Sequence, residues 1–420
     1  MSDVKKKIEK HFEALAPKLA RLLRNDYYKF EYELERPNDS IFFSGTFYMR
    51  MKFWINDKKG AEGKRNNKGS NEKERIITMR LIAKTPITTD KMQQAMRADE
   101  QFYNEIVFYR NYATKDDNFP KCYYTNENDL FGATLVLEDI TARGYRIHPC
   151  KVDVPLDDVL SVMKEIARFH AKGYTMKDKE PEKFFELIRT IKECRYVANG
   201  NDDEDHYVYL VNRVVLRPIN YLRRNDYDVD VCDKLEEYLK DAYRNIILPA
   251  TKPIEPLAIF CHGDLTINNM LFKRDEMGTG VMLIDFALIR YGSPTIDLST
   301  FLCLSCSNNV KCENLPMVLR AYHDELTKCL RENGVMDLKK YSFDAFWNDY
   351  VEYALFGYTV CSYFLYVLMD ENPSTTFGVM EMNLDDMTNA IFEYGGDRVT
   401  KALADILIDL KELGCFGKIF

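Results

Sequence analysis

A chain of 420 residues with 46% hydrophobic side chains can bury one large core or two moderate ones. Its 58 basic and 66 acidic side chains leave a net charge of −8 with no long basic run, which weighs against nucleic acid as a partner. Eleven cysteines, an odd number in a chain too long to need disulfide staples, fit reduced thiols and a cytoplasmic location.

The first 23 residues alternate charged and apolar side chains at helical spacing and carry Asp3, Glu9 and Glu13, so they read as an amphipathic helix rather than a signal or transit peptide. Gly45 to Asn56 and Glu74 to Lys84 are rich in β-branched, aromatic and apolar residues and predict two strands of a hairpin. The polar run Asp57 to Lys73 between them predicts a long tip. A helix is expected from Met92 to Tyr112, then a buried strand from Ala133 to Ile140. Together these make a small α+β unit, residues 1–140.

Residues 141–420 read as mainly helical, with amphipathic stretches such as Leu156 to Ala171 and Asp233 to Ile247. One β-like section, Ile259 to Phe286, is embedded among them around a turn at Asp275 to Gly280. Asn199 to Asp205 reads as a solvated loop. Ala354 to Met369 carries no charge, but it is shorter than a membrane span and contains Tyr358, Ser362, Tyr363 and Tyr366, so a buried helix is expected and no stable membrane insertion. Cys303 and Cys306 have C-x-x-C spacing in an apolar stretch without a second pair, which predicts a structural role.

The chemistry sits in His262-Gly263-Asp264-Leu265-Thr266-Ile267-Asn268-Asn269, followed sixteen residues later by Asp285-Phe286 at the end of an apolar run. This is the phosphotransferase loop pattern H-x-D-L-x-x-x-N and then D-F. Phosphoryl transfer needs a carboxylate to accept the proton of the attacking hydroxyl, and oxygen ligands for the magnesium that neutralises phosphate charge. Asp264 suits the first task; Asn269 and Asp285 suit the second. His170 lies on an apolar helix face and reads as a core histidine.

The chain resembles the ecdysteroid kinase-like, or CHK kinase-like, family, relatives of choline kinases and aminoglycoside phosphotransferases. The resemblance runs from about Phe43 to the last helices. It rests on Phe102-x-x-Glu105-x-x-Phe108-Tyr109, Leu135 to Asp139, Ala167 to Ala171, the His262 loop, Ile284-Asp285-Phe286 and Asp297-Leu298. It implies a bilobal protein-kinase-like α+β fold, with a small β-rich nucleotide-binding lobe and a larger helical lobe holding the catalytic loop and acceptor site. It implies ATP and Mg2+ as cofactor and metal, and a small-molecule hydroxyl as acceptor. Lys84 matches the strand lysine that meets nucleotide phosphates, and Glu105 the helix glutamate that pairs with it. Ser44, Gly45 and Thr46 fall where phosphate-covering donors lie, although Gly45 is the one glycine between Pro37 and Phe47. Val136 to Ile140, including Glu138, resembles the hinge that binds adenine through its backbone. Asp297 is expected to brace the loop. Thr266 stands where the family usually has Trp.

Asp297 comes only twelve positions after Asp285 and no A-P-E occurs, so there is no platform for a protein substrate. The expected function is ATP- and Mg-dependent phosphorylation of a small-molecule alcohol, such as an ecdysteroid or another lipophilic alcohol. The alternatives are a silent nucleotide-binding relative and a kinase for choline-like or aminoglycoside-like acceptors.

Overall fold

The computed structural model of the chain describes residues 2–36, 45–56, 74–86, 97–113, 118–129, 132–196, 206–276, 278–305, 313–370, 382–417 and 419–420. It divides into two compact units, Met1–Gly144 and Tyr145–Phe420.

The first unit is an antiparallel sheet of five strands in the order β1-β2-β3-β5-β4, where β1 is Tyr27–Glu35, β2 Gly45–Asn56, β3 Glu74–Thr85, β4 Cys122–Asp129 and β5 Gly132–Glu138. Along β2, Phe47, Met49, Met51, Phe53 and Ile55 are buried at every second position, as the pleat requires. They meet Phe12, Leu15, Ala16, Leu19 and Ala20 of helix α1, Ser2–Leu23, together with Leu81, Ala83 and Val136. Each fully buried Phe, Leu or Met there contributes roughly 1.5–3 kcal/mol. The expected hairpin is present, with Asn56 opposite Glu74; its tip lies outside the described residues, as do residues 37–44. Helix α2, Ala98–Val107, continues as one π-helical stretch to Tyr112. Strand β5 ends two residues earlier than expected, because Asp139 caps a 3-10 turn at Ile140–Arg143, its carboxylate accepting from the Thr141 N–H at 3.0 Å.

The second unit is built on α3 (Leu156–Lys179), α4 (Pro181–Thr190), α5 (His206–Val214), α6 (Arg217–Arg224) and α7 (Val229–Leu239), then α8 (Thr295–Ser305), α9 (Leu315–Glu332), α10 (Phe343–Tyr353), α11 (Leu355–Met369), α12 (Leu384–Glu393) and α13 (Gly396–Glu412). Helix α3 runs eight residues beyond the predicted end. Its buried stripe of Val159, Val162, Met163, Ile166, Ala167, Phe169 and His170 repeats at helical spacing. Helix α7 starts earlier than predicted because Asp228 caps it, accepting from the Val231 N–H at 3.1 Å, and it ends at Leu239, with a separate π-helical stretch at Tyr243–Ile247.

Two small sheets interrupt these helices. One pairs β6 (Arg146–Ile147), β8 (Met270–Asp275) and β9 (Gly278–Leu283); the other pairs β7 (Ile259–Cys261) with β10 (Arg290–Gly292). The predicted hairpin is β8–β9, turning more tightly than expected, with Asp275 opposite Gly278. No single helix among the described residues is long and apolar enough to cross a membrane; α10 and α11 pass that test only as a pair bent by 49°. Cys303 is buried in α8; Cys306 and residues 199–205 lie outside the described residues.

Candidate active site

Each unit gathers its own set of the residues singled out in the sequence. In the first, Lys84 is central in the sheet, opposite Thr46 of β2 and Leu135 of β5. Its neighbours Leu81 and Ala83 face α1, so alternation sends Lys84 to the other face, where Glu105 arrives from α2. The ammonium donates to both carboxylate oxygens, at 2.8 and 3.0 Å, and the side chains are only 9% and 3% exposed. Such a pair is costly to break from one side, by about 3–5 kcal/mol. Gly45 is the first residue of β2, buried and opposite Thr85. Glu138 closes β5: its N–H donates to the Lys121 carbonyl at 2.8 Å, its carboxylate accepts from the Lys121 N–H at 3.2 Å and pairs with Arg143 at 3.6 Å. Asp139 N–H donates to the Arg80 carbonyl at 3.2 Å, and the Ile140 side chain is buried.

In the second unit, the segment from His262 to Asn269 leaves β7 and enters β8 through a 3-10 turn at Ile267–Asn269. Gly263 has φ +80°, and a Cβ there would lie 1.8 Å from the Leu288 carbonyl oxygen, so only glycine fits between histidine and aspartate. Asp297, on α8, accepts from the His262 N–H at 2.7 Å and the Gly263 N–H at 2.8 Å, and from His170 Nε2 at 3.0 Å. It braces the loop as expected. His170 is fully buried, with Nδ1 2.8 Å from the Tyr322 hydroxyl. Burial alone would raise the Asp297 carboxyl, but the His170 bond and charge, His262 and the Gly263 N–H outweigh it and hold the group below the usual carboxylate range. His170, Cys261 and Asp297 bring potential ligand atoms within 4.8 Å of one another, yet the histidine and carboxylate are committed to this bracing.

The loop also ties Asp264 to the metal-ligand candidates. Asn269 Nδ2 donates to the Asp264 carbonyl and to Asp264 Oδ2, each at 2.9 Å, which leaves its Oδ1 on the other side of the amide from Asp264. Ile284 N–H donates to the Asn269 carbonyl at 2.9 Å, and His262 Nε2 donates to the Ile284 carbonyl at 3.0 Å. Asp285 follows with φ +66°, a left-handed conformation that aspartate tolerates better than most side chains. Phe286 is fully buried against the His262 ring, centroids 4.9 Å apart. Desolvation pushes the Asp264 carboxyl up, and Asp285 adds to this; Arg195, His262 and the Asn269 bond oppose it without cancelling it.

Sequence reasoning missed Arg195, whose Nη1 lies 3.9 Å from Asp264 Oδ1. It also missed β10, whose Arg290 pairs with Glu193, and the meeting of Tyr196 and Tyr207 with Tyr363, a residue already noted in the uncharged stretch Ala354 to Met369. Glu193-Cys194-Arg195-Tyr196 matches no phosphotransferase pattern; a clue was its mixture of charge and aromatic character between a helix and a polar loop.

Among known proteins, an uncharacterized kinase-like protein of Caenorhabditis elegans is 26% identical over 226 residues, 52% of this chain and 55% of that protein. The match therefore spans about half the length of the relative. A microcompartment-associated aminopropanol kinase aligns over 96% of this chain and 99% of its own at 13% identity and a TM-score of 0.42. An aminoglycoside phosphotransferase in complex with GDP and kanamycin aligns over 94% and 99% at 10% identity and a TM-score of 0.41. Neither structural likeness is close enough to assign a function. The sequence pattern of the ecdysteroid kinase-like family matches residues 61–335, and with the Asp264 loop in place the chain belongs to that family.

Proposed function

We propose that this protein is an ATP- and Mg-dependent phosphotransferase that phosphorylates a hydroxyl of a small molecule. The observation that carries this is the single hydrogen-bonded loop linking Asp264, Asn269 and the strand leading to Asp285. In this reading Asp264 accepts the acceptor's hydroxyl proton as its oxygen attacks the γ-phosphorus. The new O–P bond forms, the bond from phosphorus to the β,γ-bridging oxygen breaks, and ADP leaves with that electron pair. Asn269 Oδ1 and the Asp285 carboxylate are hard oxygen donors of the kind magnesium prefers, and a bound ion would neutralise phosphate charge there.

Residues 1–140 then serve the nucleotide and residues 141–420 the acceptor. Lys84, held by Glu105, meets nucleotide phosphate, and the backbone near Gly45 lies at the start of the adjoining strand. With the Glu138 and Asp139 N–H groups already donating within the sheet, the Glu138 carbonyl and the Ile140 N–H are the groups for an adenine edge. The acceptor is a lipophilic alcohol, an ecdysteroid being one example, in keeping with the aromatic residues gathered beside Arg195.

The test is a coupled ATP-consumption screen of hydroxylated lipophiles, choline and aminoglycosides, with Asp264→Asn as the blank. Mg-dependent turnover falling by about 10²- to 10⁴-fold in the variant is expected. Asp285→Ala abolishes the magnesium response, and Asn269→Ala shifts it to higher concentration. Near-normal transfer by Asp264→Asn, or turnover indifferent to magnesium, would overturn the reading.

A further inference from the structure

The loop carrying Arg195 is fastened at several points. Glu193 Oε1 accepts from the N–H groups of Arg195 and Tyr196, at 2.9 and 2.8 Å. Its other oxygen pairs with Arg290, which stands opposite Cys261, the residue before His262. The Cys194 thiol lies 3.9 Å from the Ala287 carbonyl, just past Asp285 and Phe286. The backbone beneath Arg195 is thus tied to both segments that carry the proposed chemistry. The Arg195 side chain is 22% exposed, and its Nη1, at 3.9 Å from Asp264 Oδ1, is close enough for Coulomb attraction but too far for a hydrogen bond.

Around it stands an aromatic wall. Tyr196, Tyr207 and Tyr363 all lie within electrostatic reach of the guanidinium. The Tyr207 hydroxyl donates to the Tyr363 hydroxyl at 3.0 Å, and Tyr196 packs edge-on to Phe356 with centroids 5.5 Å apart. The Arg290 guanidinium covers the Tyr196 ring at 4.4 Å. The Tyr196 hydroxyl is buried beside those of Tyr207 and Tyr363. Glu193, the carboxylate nearest in sequence to Arg195, is already occupied by Arg290 and two N–H groups.

We propose that Arg195 selects the acceptor by charge, so that the site takes hydroxyl compounds with a neutral or anionic aromatic or apolar body and rejects cationic ones. This rests on the phosphotransferase reading for the identity of the acceptor, though not for the charge preference itself. An acceptor hydroxyl bonded to Asp264 brings the rest of a small molecule within a few ångströms of the Arg195 guanidinium, whose backbone is anchored beside it. A cation there meets a like charge in a partly buried, weakly screened setting, whereas a neutral molecule of the same shape does not.

Choline and 3,3-dimethylbutan-1-ol form the matched probe pair, since they share shape and hydroxyl and differ in charge. Binding of each to the full chain is followed by ligand-observed NMR, in parallel with coupled ATP consumption. We expect the wild type to favour the neutral alcohol by at least about tenfold, as like-charge contact implies. Arg195→Gln erases that preference, Arg195→Glu reverses it and Arg195→Lys keeps it, with thermal melts confirming that each variant is folded. Equal binding by the wild type, binding of neither probe, or a preference surviving Arg195→Gln overturns the proposal. A preference seen in binding without ATP consumption leaves it standing and counts against the phosphotransferase reading.

Discussion

Burial and charge pull in opposite directions at Asp264 and Asp297, two carboxylates on either side of one loop. Asp264 has its carboxyl raised by desolvation, so the native state holds that proton to higher pH than the unfolded chain does. Its charge therefore destabilises the fold at neutral pH, and this penalty disappears as pH falls through the raised value. Asp297 has the opposite sign: its depressed value means that its contribution is complete above the ordinary carboxylate range and is lost as pH falls through the lower, native value. Asp264→Asn should therefore melt higher than wild type at pH 7, with the gap closing on acidification. Asp297→Asn should melt lower at pH 7, with its gap closing only below the usual carboxylate range. Melting curves from pH 3 to 8 check both, and two variants shifting in the same direction at pH 7 would contradict the assignment. Such a trade of stability for function is common where a site needs a charge that burial disfavours.

At the scale of elements, the last two helices are pinned by one buried cation. Arg217, at the start of α6, donates to the Ile391 and Tyr394 carbonyls of α12 and its end, to the Gly396 carbonyl at the start of α13, and to the Thr400 hydroxyl, all between 2.8 and 2.9 Å. Burial lowers its pKa to about 10, which leaves it charged at neutral pH. Arg217→Met strands several of these acceptors and should cost at least about 3 kcal/mol. Arg217→Lys should recover only part of that, because an ammonium cannot reproduce the guanidinium fork. Denaturant midpoints read the loss; a cost below about 1 kcal/mol for the methionine variant would show that the helices are held by packing alone. None of this was legible in the sequence, where Arg217 is one basic residue on an amphipathic helix. The elements themselves were mostly legible, since α1, β2, β3 and α3 each bury one face at a fixed period. Ends were misjudged where caps decide them, as at Asp139 and Asp228. Strand β10 escaped because three residues carry no period, and its partner β7 lies well before it in the chain.

Across the molecule, legibility followed sequence separation. The Asp264 loop could be read because its residues are neighbours, and Gly263, unremarkable as a sequence position, proves to be required by a carbonyl that arrives from Leu288. The Arg195 loop could not be read, because its meaning depends on Asp264, Ala287 and Arg290 meeting it in space. Those same contacts have a thermodynamic consequence. One short loop touches Ala287, just past the proposed metal ligand, and holds the guanidinium proposed to face the acceptor. On the phosphotransferase reading, we expect occupancy at one end to influence the other, and linkage would make that influence mutual. A magnesium complex of a non-hydrolysable ATP analogue should tighten acceptor binding by some factor, and the acceptor should tighten the analogue by the same factor. Glu193→Gln, which loosens the tie to Arg290, should bring that factor towards unity while leaving each ligand able to bind alone. Calorimetric titrations in both orders would measure it, and fully independent affinities in the wild type would mean that the loop transmits nothing. With that coupling the doubly loaded protein is favoured over either singly loaded form, so each ligand lengthens the other's stay whichever arrives first.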